Sequence, residues 1–307
     1  MQGARLSEGE TVKTNAIYSV PPGTQHCKRP TLKADQTVHN NPKERQMPVR
    51  TKFEFLGNAA YRITNSQGTV ILIDPFLNES DCSPVKVKDL ERVDLVLVTH
   101  AAWDHMGDTL EIALKFNCPV ICGGEVRHHL VRHGVDPARV RGMCWGLQVV
   151  EAGVRVRSVT SMHWSFIEYP DGTFISGPPM GFIFYPDPGV RVYHSGDTAI
   201  FSDLQLFGQL YQPNIALICV SMPDSGQLQK HGIPESFCGE MSPHEAALAV
   251  QWLGVEYALT NHYSRARGNP DVEKFVTLVN NLHSDTGPVV KPVVLEPGET
   301  WYYPVED

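Results

Sequence analysis

Val93-Asp94-Leu95-Val96-Leu97-Val98-Thr99-His100-Ala101-Ala102-Trp103-Asp104-His105-Met106-Gly107-Asp108 is the stretch that decides the fold of this chain. Val93 to Val98 is an apolar run rich in β-branched residues, the composition of a strand buried on both faces. The run stops at His100. An Asp-His pair follows at Asp104-His105, and an amphipathic segment expected to be one helix runs from Met106 to Phe116. Strand, loop and helix make the repeating unit of an α/β sheet, which places its chemistry in the loops at the carboxyl ends of its strands. His100, Asp104 and His105 are expected on such a loop. Two imidazoles and a carboxylate this close in sequence can converge on one divalent metal ion, which takes N and O ligands at about 2.0–2.2 Å.

Outward from this stretch the same pattern recurs. Lys52 to Leu56, Ala60 to Thr64 and Thr69 to Ile73 read as short strands, with turns at Gly57-Asn58 and Asn65-Ser66-Gln67-Gly68. Pro119 to Cys122 reads as a strand and Glu125 to His133 as a helix, with His128, His129 and His133 expected to face solvent. Val149 to Thr160 alternates around Gly153 as a hairpin does and leads to His163. A second hairpin, Met180 to Tyr185 and Val190 to Tyr193, runs into His194-Ser195-Gly196-Asp197-Thr198. A helix is expected from Ser202 through Leu210, and a strand from Asn214 to Val220. Ser242-Pro243-His244-Glu245 has the chemistry of a helix start, with Ser242 as N-cap and Glu245 closing a capping box. The strand Glu256 to Thr260 ends in Asn261-His262-Tyr263. Pro270 to Leu282 is the last helix, and Val289 to Leu295 and Glu299 to Tyr303 are closing strands. His100, Asp197 and His262 thus end three strands, and His163 a fourth. The halves echo each other, each with strands first and helices after. They imply an α/β fold of the αββα four-layer sandwich type over residues 51–307.

Residues 1–50 differ. They are polar, carry five prolines (Pro21, Pro22, Pro30, Pro42 and Pro48) and show no sustained period, which reads as an extended arm that can wrap its own core or reach a second subunit in a homo-oligomer. The loop from Ser221 to Glu240 is long and rich in Gly and Pro, which points to a functional segment.

Composition narrows the function classes. The chain has 307 residues, 42% hydrophobic content and a net charge of −8. With no basic block, it is not expected to bind nucleic acid. No apolar run approaches the roughly 18 residues of a membrane span, and Met1 to Glu8 has no signal-peptide core, so a cytoplasmic address is expected. The seven Cys include no CxxC pair and read as thiols in a reducing compartment. A small-molecule substrate is the expected partner.

The ordered motifs Thr99 to Asp108, His163, His194 to Thr198, Pro243 to Ala246 and His262-Tyr263 resemble the metallo-β-lactamase superfamily. The resemblance covers about Lys52 to Tyr303 and is closest to its L-ascorbate-6-phosphate lactonase-like branch. It implies a metallo-β-lactamase-like fold and a dinuclear hydrolase. By that pattern His100 and His163 serve the first metal position, and Asp104, His105 and His262 the second. Asp197 bridges them, and Asp74 supports a ligating His from behind. A metal-held hydroxide would be the nucleophile, with Asp104 orienting the water or carrying its proton to the leaving group. Zn²⁺ is the default ion for this donor set, and Mn²⁺ and Fe²⁺ tolerate it too.

The pattern departs at one place: Ala102 stands where His-x-His-x-Asp-His has its second histidine. A methyl group cannot coordinate. Either the alanine was introduced to disable the enzyme, or it is natural and the site holds one ion or completes itself with water. The resemblance implies opening of a small cyclic ester or amide, a lactone or lactam, impaired here by Ala102. Alternatives are a phosphodiesterase of the same fold, or a non-catalytic ligand-binding protein with a decayed site. Trp103, inside the metal loop, is expected to wall the pocket, with Trp164 and Tyr263 beside it. His231 and Arg265 are candidates to hold an anionic substrate group.

Overall fold

The computed structural model describes residues 50–221, 229–230, 239–282 and 288–304. Residues 1–49 of the expected arm, and His231, lie outside the described residues. The first sheet begins with an antiparallel meander, β1 (Thr51–Gly57), β2 (Ala60–Thr64) and β3 (Val70–Ile73). It continues in parallel through β4 (Leu95–Leu97), β5 (Val120–Gly123) and β6 (Val140–Met143). The parallel crossovers carry α1 (Trp103–Met106), α2 (Thr109–Phe116) and α3 (Gly124–Arg132).

The second sheet repeats the plan. β7 (Gln148–Glu151), β8 (Val154–Thr160), β11 (Met180–Tyr185) and β12 (Val192–His194) pair antiparallel. Then β12, β13 (Ile215–Cys219), β14 (Tyr257–Asn261) and β15 (Lys291–Val293) run parallel. Their crossovers carry α4 (Asp203–Tyr211), α5 (Pro243–Leu253) and α6 (Pro270–Asn280). The last strand, β16 (Thr300–Tyr303), returns to pair with β1, so each sheet has seven strands among the described residues.

Strand periodicity explains the layers. Leu95 and Leu97 point into the core between the sheets, with Phe53, Ile63, Ile71 and Ile73 from the first sheet and Phe182, Phe184 and Tyr193 from the second. Val96 and Val98 point the other way, against Ile112, Ala113, Val126 and Leu130 of α2 and α3. That is why the strand reads as an unbroken apolar run. On the outer face of the second sheet, α4 to α6 bring Leu204, Val250 and Phe275 into the larger core. The order is the expected αββα sandwich.

One expectation is corrected, and two elements were not expected. The single helix from Met106 breaks at Gly107, which has φ +39° and abuts the Pro75–Phe76 backbone. A four-residue helix therefore precedes the longer one, and it is this turn, not a loop, that carries Asp104 and His105. β6 was not expected, because Val-Arg-Gly-Met has no clean alternation. Nor was the hairpin of β9 (Phe166–Glu168) and β10 (Phe174–Ser176).

Candidate metal centre

The residues singled out by motif converge at the carboxyl ends of β4, β8, β12 and β14. Among the described residues they form two tight groups of metal-capable atoms, His100, His163 and Asp197, and Asp104, His105 and His262, and Cys219 joins Asp197 and His262 in a third. Asp197 is the hub. Its Oδ2 lies 3.1 Å from His105 Nε2, 3.2 Å from His262 Nε2, 3.9 Å from His100 Nε2 and 4.0 Å from His163 Nε2. Asp104 Oδ2 lies 3.5 Å from His262 Nε2 and 3.9 Å from His105 Nε2.

His100 Nε2, His105 Nε2, His262 Nε2 and Asp197 Oδ1 are buried and make no hydrogen bond. Each buried polar atom left unpaired costs about 1–3 kcal/mol. Several such atoms around one carboxylate, all with ligand chemistry, fit a bound divalent cation, which would satisfy them together.

The far side of each ring explains why these nitrogens face inward. His105 Nδ1 pairs with Asp74 Oδ2 at 2.8 Å, and His262 Nδ1 with the Ser221 carbonyl at 2.6 Å. An Nδ1–H given to an oxygen leaves the Nε2 lone pair for a metal, the usual outer partnership of a ligating histidine. Asp74 is held in turn by Thr99, whose N and Oγ1 each donate to it at 2.8 Å. His194 Nε2 lies 3.3 Å from the same carboxylate. The expected hydrogen bond between Asp74 and a histidine of this cluster is present, with His194 as a second partner that motif reading left unassigned. Two of these strand-end residues, Asp74 (φ +45°) and His262 (φ +69°), sit in the left-handed region. Such strain costs about 1–3 kcal/mol and persists where surroundings enforce it. For His262 the enforcers are its N–H to the Asn58 carbonyl at 2.7 Å and the Asn58 N–H to the Tyr263 carbonyl at 2.9 Å.

Charge follows the same geometry. Burial opposes ionisation of Asp74 and Asp197, yet the facing histidines hold both well below the usual carboxylate range. Burial also disfavours charge on His105 and His262, but the carboxylates, Asp197 foremost, lift both well above the ordinary value. His100 goes the other way: burial, then the neighbouring His105 and His163, push it well below.

A hydrogen-bond staple joins the two loops that carry His100 and His163. Ser165 Oγ accepts from the Ala101 N–H at 3.0 Å and donates to Glu125 Oε1 at 2.5 Å. Glu125 is buried, and a Cβ at Gly123 or Gly177 would displace its carboxylate, so glycine at both positions leaves room for it. Ala102, at the start of α1, is buried and offers no donor.

The substrate candidates scatter. Trp164 stands beside the centre, 5.3 Å from the His163 ring and 5.9 Å from His100. Trp103 packs edge-on against Phe76 at 5.0 Å. Tyr263 is not brought to the centre: it is buried on Phe55, and its hydroxyl donates to the Leu295 carbonyl at 2.8 Å. Arg265 is exposed beyond β14. Of the helical histidines, His128 and His133 are exposed, whereas His129 is half-buried and pairs with the Tyr169 hydroxyl at 3.2 Å. Sequence reasoning also missed Glu240, whose carboxyl is pushed up to about 7 by burial and then by the charge of Asp197. It missed Cys219, raised to about 11 by burial. Neither belongs to a spaced motif, so only the fold could find them.

Residues 69–263 match the family described as beta-lactamase superfamily domain. The chain is 34% identical over 214 residues to a metal-dependent hydrolase of Rubrobacter xylanophilus, spanning 69% of this chain and 81% of that protein. It is 34% identical over 253 residues to a metal-dependent hydrolase of Archaeoglobus fulgidus, spanning 82% and 99%. Among solved structures it resembles Igni18, a metallo hydrolase from Ignicoccus hospitalis, with TM-score 0.65 and 26% identity over 84% of this chain and all of that one.

Proposed function

Because this chain belongs to the β-lactamase superfamily, we propose that it is a metal-dependent hydrolase, with a lactone or lactam as the bond it opens. The observation that carries the reading is the ring of unpaired imidazole nitrogens around Asp197. His105, His262 and Asp104 would hold one ion. His100 and His163 would hold a second with Asp197 between the two, and Ala102 leaves that second position short of one imidazole. Zinc suits this donor set best. Bound there, a divalent cation supplies an acidified water and polarises the scissile carbonyl. The chain's own residues do the rest. Asp74 and the Ser221 carbonyl fix the tautomers of His105 and His262. Asp104 stands at the centre, where it would receive the proton of the attacking water and return it to the leaving alkoxide or amine. In a ring opening the leaving alkoxide or amine stays tethered to the product, so no second product has to depart.

The test is metal content, measured by elemental analysis on this chain and its Ala102→His variant, beside hydrolysis of a panel of lactones, lactams and phosphodiesters. The reading expects ion content to rise by about one in the variant, with cyclic esters or amides turned over faster than phosphodiesters. Preference for phosphodiesters would replace the substrate class. Equal metal content and no hydrolysis by either protein would replace the enzyme with a ligand-binding protein.

A further inference from the structure

The hairpin of β9 and β10 carries a feature that packing leaves unexplained. Its register pairs Ile175 with Ile167, Ser176 with Phe166, and Phe174 with Glu168. Directly paired residues of an antiparallel ladder share a face. The isoleucines therefore form one face, and Ile167 packs against the helix-covered side of the first sheet. Phe166 and Phe174 lie on the opposite face, away from that packing. A hairpin with one face on the core should be polar on the other. Here two phenyl rings stack on that outer face with centroids 5.1 Å apart, and Phe174 is 58% exposed.

The rings are not isolated. Trp164 lies 4.8 Å from Phe166 and 5.3 Å from the ring of the metal-site residue His163. A continuous row of rings thus leads from the metal centre out to solvent. Single exposed hydrophobes are ordinary on protein surfaces, but a contiguous row that begins at a reactive centre is the composition of a ligand site. From this geometry we propose that Trp164, Phe166 and Phe174 form a recognition subsite for a flat, apolar arm of the substrate whose reacting end lies at the metals. Glu168 shares the face with Phe174, so a neutral arm is favoured over an anionic one. The proposal rests on the metal-hydrolase reading in one respect only, the placement of the reacting end.

Hydroxamates test it without turnover, because their head group binds metal and their tail can be varied. Acetohydroxamate, benzohydroxamate and 4-phenylbenzohydroxamate would be titrated calorimetrically into the zinc-loaded full chain. Each added ring is expected to tighten binding by about tenfold, the usual scale of an aromatic contact together with its burial. Phe174→Ser, at an exposed position, and Phe166→Leu, which keeps apolar bulk, should shrink that gain while leaving acetohydroxamate affinity unchanged. If acetohydroxamate binds but the aryl tails add nothing, or if the gain survives in both variants, the subsite is overturned and the metal reading stands. If no hydroxamate binds, the metal reading and the subsite fall together.

Discussion

Asp74, just past the end of β3, lies 2.8 Å from Nδ1 of His105 on α1, with both side chains fully buried. That pair aims His105 Nε2 at Asp197 and the candidate metal centre from behind. Asp74→Ala should lower metal affinity by about 10–100-fold, the usual consequence of losing such a partner. Asp74→Asn should lose less, since asparagine tolerates the left-handed backbone and keeps an acceptor. Retention of metal against a graded chelator reads both effects. Equal affinities in all three proteins would remove Asp74 from the site.

Ser165 joins the loops carrying His100 and His163 through Ala101 and Glu125. Ser165→Ala leaves the Ala101 N–H and a buried Glu125 oxygen unpaired, a destabilisation of about 1–3 kcal/mol. Denaturant unfolding should show it as a lower midpoint with an unchanged slope. Glu125→Gln keeps an acceptor for the serine and should cost less. The Co²⁺-substituted protein should also show an altered visible spectrum in Ser165→Ala if the staple sets the spacing of His100 and His163.

The pH response of the metal-free protein follows from the raised values at His105 and His262, where burial is outweighed chiefly by Asp197. A histidine lifted by folding contributes its full stabilisation below its unfolded value of about 6.5 and loses it as pH rises through the folded value. Asp197, depressed by the same histidines against the opposing effect of burial, contributes above its unfolded value of about 3.9 and loses it as pH falls through the folded value. Chelator-stripped protein should therefore lose thermal stability as pH climbs above about 6.5. Metal must displace the Nε2 protons, so uptake should release protons, detectable by calorimetry in two buffers of different ionisation enthalpy. Stability rising steadily through that range, with no proton release, would contradict the assignment.

Gly107 separates α1 from α2 at φ +39°, where an added Cβ would sit 2.6 Å from the Pro75 carbonyl oxygen and 2.7 Å from Phe76 Cα. Gly107→Ala should destabilise the protein by about 1–3 kcal/mol through strain and overpacking. Because α1 carries Asp104 and His105, metal affinity should fall with it. A variant as stable as the parent would show that the loop can move aside.

Much of this was legible in the chain itself. Unbroken apolar runs flanked by helical patterns determine an αββα core, because a strand apolar on both faces must be covered on both. The candidate ligands His100, His163, Asp197 and His262 stand after successive strands in the order the motifs give, and Ser242 with Glu245 marks the start of α5 by local chemistry that needs no tertiary partner. What only the tertiary structure decided depends on contacts between residues far apart in sequence. Glu125 pairs with Ser165 across 40 positions and His194 approaches Asp74 across 120, separations that no local pattern encodes. Tyr263, next to the candidate ligand His262 in sequence, belongs to the core because its bridge to Asn58 seats the ring on Phe55. Phe174, in a stretch without clear periodicity, is carried by hairpin register to the outer face, beside the rings that lead to the metal centre.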